Sequence, residues 1–67
     1  MAAVDALERA VNLAPEEPVF NYHLGMAYQA KGDIESARRY LKAAFEPGRS
    51  FEGMDEARKA LDAISKG

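Results

Sequence analysis

The sequence predicts an all-α protein of about four helices. Alanine is abundant, β-branched residues are few, and no stretch alternates apolar with polar residues over the length of a strand. Proline and glycine residues divide the chain into four segments, and each segment has the apolar spacing of a helix. The connections between them are short, so we expect neighbouring helices to pack antiparallel.

The first segment runs from about Ala2 to Leu13 and ends before Pro15. Its apolar residues recur at spacings of three and four, which places them on one face of a helix. They are Ala3, Leu7, Ala10 and Ala14.

The second segment runs from about Pro18 to Lys31. A proline suits the first turn of a helix, where its missing N–H costs nothing. Glu16 and Glu17 favour the positive end of the same helix dipole.

The third segment runs from about Ile34 to Glu46. Gly32 suits the left-handed conformation that follows a helix end, and Asp33 can cap the next helix. Pro47 and the glycine after it end the segment. Its apolar face contains Ala37, Tyr40, Leu41, Ala44 and Phe45. These signals predict a helical hairpin with a tight turn.

The fourth segment is predicted to begin between Ser50 and Asp55 and to end near Ser65, with Gly53 obscuring its start. Its apolar residues again follow helical spacing. They are Met54, Ala57, Leu61 and Ile64. We therefore expect a terminal helix that packs on the preceding hairpin.

Length and charge exclude several classes of protein. A chain of 67 residues forms one domain at most, and its stability margin is thin because a small fold buries less of its surface. It has no cysteine, which excludes disulfides and thiolate metal sites. The net charge of −2 is mixed along the chain, which argues against nucleic acid as a partner. No signal peptide or membrane span is predicted, and the compartment is unknown, with the cytoplasm as the default expectation.

The first and third segments repeat each other. Ala3, Leu7 and Ala10 are matched 34 residues later by Ala37, Leu41 and Ala44, so small and large residues occupy the same slots. With this period the chain resembles the tetratricopeptide repeat family, whose unit is a helix–turn–helix. If Pro18 is the first position of a unit, Leu24, Gly25 and Tyr28 occupy the family's Leu-Gly pair and aromatic slot. Asn21 stands where the family usually has a bulky aromatic residue.

The resemblance implies an antiparallel helix–turn–helix stack that forms a single domain over 1–67. Residues 1–17 would be the second half of one repeat, 18–49 a full repeat, and 50–67 a terminal capping helix. The resemblance also agrees with the presence of a glycine inside the second segment. A helical glycine costs about 0.5–1 kcal/mol relative to alanine, so Gly25 requires a packing reason. We expect it to let the second and third helices approach closely, with Ala37 opposite.

The second segment has more apolar surface than one packed face requires. Val19, Tyr22, Met26 and Gln29 lie away from its core face, at positions that line a concave groove in the tetratricopeptide repeat family. The resemblance therefore implies that they contact a partner protein. Some members hold an acidic C-terminal peptide with Lys and Asn where this chain has Tyr22 and Met26, so an apolar or amphipathic segment is the expected ligand. The alternative is that these residues pack against a neighbouring repeat or the terminal helix.

No motif for catalysis, a cofactor or a metal is present. His23 is the only histidine, and without neighbouring ligands it makes a poor zinc site. Glu16 and Glu17 are adjacent on a short loop, where helix-start electrostatics explains them. The serines follow no nucleophile motif, and the chain is too small to enclose a water-excluding pocket easily. We therefore predict a protein-interaction scaffold and not an enzyme.

A second hypothesis is structural. The first segment should pair with a preceding helix that is not in this sequence, and a repeat buries its apolar face by stacking on neighbours. The chain would then be the C-terminal end of a longer array or a homodimer. In the homodimer, Val4 and Val11 are expected to flank the core and to contribute to an interface formed by the first two segments.

Overall fold

The computed structural model describes residues 2–66 and the side chains of residues 4–65. This part of the chain forms four helices and no strand: α1 (Ala2–Leu13), α2 (Pro18–Lys31), α3 (Ile34–Phe45) and α4 (Met54–Lys66). The all-α prediction is confirmed. The third and fourth helices differ by one residue from the predicted ends, which is the usual extent of fraying at helix termini.

The turn between α2 and α3 follows the predicted chemistry. Gly32 has a φ of 92°, in the left-handed region, and its N–H donates to the carbonyl of Gln29 over 3.1 Å. Asp33 then caps α3, since its carboxylate accepts a hydrogen bond of 3.2 Å from the N–H of Ser36. The two helices are thereby held as a tight antiparallel pair.

The second helix is the centre of the described structure. It packs against α1 on one side and α3 on another, and it also contacts α4, which lies against α3. The result is a slab with extents of 31 × 29 × 15 Å. Among the described residues, no helix is long and apolar enough to cross a membrane.

The core between α1 and α2 corrects the predicted position of Val4 and Val11. Both are buried, with exposed fractions of 5% and 9%, and they pack with Leu24. Leu7 packs against the same cluster, whereas Ala10 is only half-buried. Packing against α2 thus selects the face of α1 that bears these larger side chains, whose burial removes more apolar area from water. The side chain of Ala3, which the sequence also placed in the core, lies outside the described residues.

A second core lies between α3 and α4, where Ala37, Leu41, Ala57, Ala60 and Ile64 are buried. Gly25 of α2 lies against it. The atoms nearest to a Cβ built on Gly25 belong to Leu41, at 2.7 Å from its Cγ and 3.1 Å from its backbone nitrogen. Gly25 therefore allows the close approach predicted for the hairpin, with Leu41 and not Ala37 as its closest neighbour.

Candidate functional site

The four predicted contact residues lie together on α2. Val19, Tyr22, Met26 and Gln29 are spaced by three and four residues, and each is half-buried. We call this set the α2 stripe. It has no formal charge, and it combines an aromatic ring, a thioether, a branched aliphatic group and an amide. Such a surface suits contact with apolar or amphipathic groups.

Tyr22 is the member of the stripe that contacts the loop before α4. Its ring lies against the backbone of Gly53, so closely that a Cβ on Gly53 would be 2.5 Å from the Cε2 atom of Tyr22. The ring of His23 lies 5.0 Å away, centroid to centroid, and that of Phe51 lies 6.1 Å away, both in tilted geometry. The loop before α4 thus covers one side of Tyr22.

The structure shows what else the stripe touches. Tyr22 and Met26 pack against the core cluster that α3 and α4 share. This packing is incomplete, since both side chains stay half-buried. The sequence had left open a groove for a partner or packing on the terminal helix. In this structure the terminal helix and its loop cover part of Tyr22 and Met26, and all four side chains of the stripe are half-buried.

An aromatic cluster continues from the stripe along the loop. Phe51 lies 6.1 Å from Tyr22 and 5.6 Å from Phe45 at the end of α3. The guanidinium of Arg58 lies 5.4 Å from the centre of the Phe45 ring, within the range of a cation–π contact. Phe51 thus attaches the loop 46–53 to both α2 and α3.

A second group of aromatic side chains lies between α1, α2 and α3. Tyr28 and Tyr40 stack with an interplanar angle of 8° and a centroid distance of 5.6 Å. The hydroxyl of Tyr28 donates a hydrogen bond to the carboxylate of Glu8. This hydrogen bond, together with burial, raises the pKa of Tyr28 from 10.0 to about 12. The hydrogen bond between Tyr28 and Glu8 links α1 to α2, and the stacking of Tyr28 on Tyr40 joins α2 to α3.

Two further features could have supported other chemistry. His23 is exposed, and the described residues contain no group of three His, Cys, Asp or Glu side chains that could hold a metal. An open concavity of about 280 Å³ lies between the α1–α2 turn and the end of α3. It is lined by Pro15, Glu16, Ala43, Glu46 and Pro47, none of which belongs to the α2 stripe.

Sequence reasoning missed Asn21, which is 2% exposed. Its side-chain amide donates to the carbonyl of Pro15 over 3.0 Å and to that of Glu17 over 3.3 Å, so it ties α2 to the preceding turn. The signal was its position, because a polar residue in a slot that normally holds an aromatic ring must satisfy its hydrogen bonds locally. No comparable feature of the sequence indicated that Gly53 contacts Tyr22.

Comparison with known proteins agrees with this architecture. Residues 19–46 match the family model described as the tetratricopeptide repeat, and they coincide with the α2–α3 hairpin. No curated protein and no solved structure gives a significant match. Tetratricopeptide repeats are in general protein–protein interaction modules, and the family is typically a non-enzymatic scaffold. The paired helices α2 and α3, in contact at Gly25 and Leu41, are thus similar to a tetratricopeptide repeat over residues 19–46.

Proposed function

We propose that the α2 stripe binds an apolar or amphipathic segment of a partner protein, without catalysis. The observation that supports this most directly is the half-buried state of Tyr22 and Met26. A tyrosine ring and a methionine thioether on one helix face, partly open to solvent, provide contact area at low entropic cost. The family match makes a protein the expected kind of partner.

The chemistry of the stripe favours an apolar segment over a charged one. None of its four side chains carries a formal charge, so it offers no cation to a carboxylate or phosphate. Gln29 at one end can donate and accept hydrogen bonds, which suits the polar edge of an amphipathic helix. Val19 at the other end extends the apolar contact. We therefore propose an amphipathic helix that lies along α2 as the ligand.

A random peptide library displayed on phage provides a test that requires no known partner. We expect selection against the unmodified chain to enrich peptides with apolar residues at helical spacing. Met26→Gln with Gln29→Lys should then weaken the selected peptides at least tenfold in calorimetric titration, because it replaces apolar contact with polar and charged groups.

The control is Lys42→Gln, an exposed change on α3 that lies outside the stripe. It should leave the affinity unchanged. Circular dichroism must show that both variants remain helical. Selected peptides that bind both variants equally well would place the binding surface elsewhere and contradict the proposal.

We propose assembly as the second candidate function, because α1 has an unpaired apolar side. Leu13 is 87% exposed, and Ala10 on the same helix and Ala14 just after it are half-buried. A homodimer or a neighbouring repeat could cover these residues. Val4 and Val11 cannot contribute to that interface as the sequence suggested, since they are buried beneath α2. In sedimentation experiments, a dimer that Leu13→Glu separates into monomers would support assembly, and a monomer at all concentrations would exclude the homodimer.

A further inference from the structure

Two residues of the α2 stripe, Tyr22 and Met26, are partly covered by a segment of the chain itself. Gly53 lies against the ring of Tyr22, and α4 contributes Ala57, Ala60 and Ile64 to the cluster on which Tyr22 and Met26 pack. A partner that made full contact with these two side chains would therefore meet α4 and its loop. This raises the question of how firmly that segment is held.

The apolar attachment of α4 depends on small side chains. Ala57 and Ala60 are buried, and Ile64 is the one large side chain of α4 among its described residues that is buried to the same degree. Leu61 and Met54 are only half-buried. By contrast, α1 and α2 bury Val4, Val11 and Leu24 against each other. Stabilisation grows with the apolar area removed from water, so α4 gains less from packing than its length suggests.

Among the described residues, the polar attachments of this segment comprise one partly buried hydrogen bond and the exposed contacts of one arginine. The Arg38 side chain donates to the carbonyl of Ile64 over 3.2 Å, close to the end of α4. Arg49 of the loop forms a salt bridge of 3.3 Å with Glu17, and the two side chains are 58% and 49% exposed. Ion pairs this exposed are weakened by solvent and by salt. The Arg49 salt bridge therefore holds the loop only weakly, and the Arg38 hydrogen bond and the Arg58–Phe45 contact are the polar links between α3 and α4.

The loop that carries α4 has the backbone freedom to move. It spans residues 46–53, whereas the α2–α3 turn needs only residues 32 and 33. Gly48 has a φ of 73° and Gly53 a φ of 91°, so each end of the loop has a residue that populates both halves of backbone space readily. Rotation at these two positions is the backbone change by which α4 would move away from α2 and α3.

We propose that α4 and the loop 46–53 form a detachable cover, which a partner segment displaces from Tyr22 and Met26. This proposal rests on the proposed function and adds a regulatory step to it. Because the partner segment would replace α4, the apolar face of α4 indicates the chemistry of that segment. The face that α4 presents has small residues at 57 and 60 and a large aliphatic residue at 64. We therefore infer that the partner segment is an amphipathic helix with the same order of small and large apolar residues.

Hydrogen exchange of the unmodified chain tests the first part without any ligand. We expect the amides of α4 to exchange through an opening that leaves α1, α2 and α3 protected, so that their exchange rates exceed those of the α2 and α3 amides at least tenfold. If α4 exchanges only when the whole domain unfolds, it is an integral part of the core and the proposal fails.

A pair of glycine substitutions tests the contact itself. Gly53→Ala places a Cβ 2.5 Å from the Tyr22 ring, whereas a Cβ at Gly48 meets no atom within 4 Å. Both positions have positive φ, so Gly48→Ala controls for backbone strain. We expect Gly53→Ala to accelerate exchange in α4 at least tenfold more than Gly48→Ala does. Adding Tyr22→Leu should remove most of that difference, because it removes the ring that clashes.

Binding of a phage-selected helical peptide tests whether displacement of α4 exposes the α2 stripe, separately from whether the stripe binds a peptide at all. The Gly53→Ala variant should bind the peptide at least tenfold more tightly than the Gly48→Ala variant, because α4 covers the α2 stripe in a smaller fraction of its molecules. Faster exchange with unchanged affinity would overturn the proposed competition while leaving the binding function intact. Loss of protection throughout α1, α2 and α3 in Gly53→Ala would show that α4 is not separable and would also overturn it. If no peptide binds any form, the proposed function fails, and the exchange experiment still decides whether α4 detaches.

Discussion

A Cβ atom at Gly25 would lie 2.7 Å from the Cγ of Leu41, closer than non-bonded carbon atoms approach in folded proteins. Leu41 is fully buried, and its backbone nitrogen is only 3.1 Å from the same point, so neither part of the residue can move away freely. The spacing of α2 and α3 is therefore set by the absence of a side chain at Gly25.

Gly25→Ala should destabilise the domain, although alanine is the better helix former. Overpacking costs about 1–3 kcal/mol, which outweighs a gain in helix propensity of about 0.5–1 kcal/mol. Gly25→Leu should prevent folding. Thermal melts followed by circular dichroism provide the measurement. Ala30→Gly, an exposed change in the same helix, calibrates the propensity. A higher melting temperature for Gly25→Ala would mean that the assigned hairpin contact is wrong.

Removing the charge of Glu8 should lower the pKa of Tyr28 from about 12 towards its ordinary value of 10.0, since the hydrogen bond to Glu8 is the main cause of the rise. Glu8→Gln keeps an acceptor for the hydroxyl and removes the negative charge. Phenolate absorbance during alkaline titration of the folded protein reports the change. Glu46→Gln, which changes an exposed carboxylate just after the end of α3, should leave the Tyr28 titration unchanged.

The same contact makes stability depend on pH in a defined direction. Folding raises the pKa of Tyr28, so the folded state holds this proton more tightly than the unfolded chain does. The resulting stabilisation is fully present below pH 10 and is lost as the pH rises towards 12. Urea denaturation should therefore show the advantage of the unmodified chain over Glu8→Gln shrinking across that interval. An advantage that grew with pH would contradict the assignment.

Asn21→Ala should reduce the free energy of unfolding by about 1–3 kcal/mol. The substitution leaves the carbonyls of Pro15 and Glu17 without the amide that now donates to them, at a site where Asn21 is 2% exposed. Chemical denaturation measures the loss. Asn12→Ala removes the same side chain from an exposed position on α1 and should change the stability by no more than about 0.5 kcal/mol. Equal effects of the two substitutions would show that the turn does not depend on Asn21.

Val11→Glu should detach α1 and not simply alter association. The residue is 9% exposed, and a carboxylate there would be buried without a partner, at a cost on the order of 3 kcal/mol or more. Leu13→Glu is a matched change two positions away at an 87% exposed site, where we expect at most about 0.5 kcal/mol. Denaturation curves compare the two. A stable, helical Val11→Glu variant would restore the sequence-based view that this side chain flanks the core.

Most of the fold could be predicted from the sequence because its signals are local. Helix ends are marked by residues with special backbone chemistry, so Gly32 and Asp33 were enough to predict the left-handed turn and the cap. The register of α1 could not be predicted in the same way. The sets Ala3–Leu7–Ala10 and Val4–Leu7–Val11 both follow helical spacing, and only the packing partner decides which face turns inward.

The sequence alone predicts that the four residues of the candidate site are neighbours, but it does not predict which side chains and loop surround them. Periodicity alone places Val19, Tyr22, Met26 and Gln29 on one face of α2. The contact between Tyr22 and Gly53 depends on how the loop 46–53 returns to α2, and no local pattern encodes that path. The same holds for Phe51, whose place between Tyr22 and Phe45 follows from the tertiary structure alone.

The most direct test of the central claim is nuclear magnetic resonance of the labelled chain during titration with a phage-selected helical peptide. If the α2 stripe is the binding surface and α4 is its cover, large shift changes should fall on Val19, Tyr22, Met26 and Gln29 and also along α4, because the displaced helix loses its packing. Changes centred instead on Leu13 and the open side of α1, with the stripe unaffected, would contradict the account.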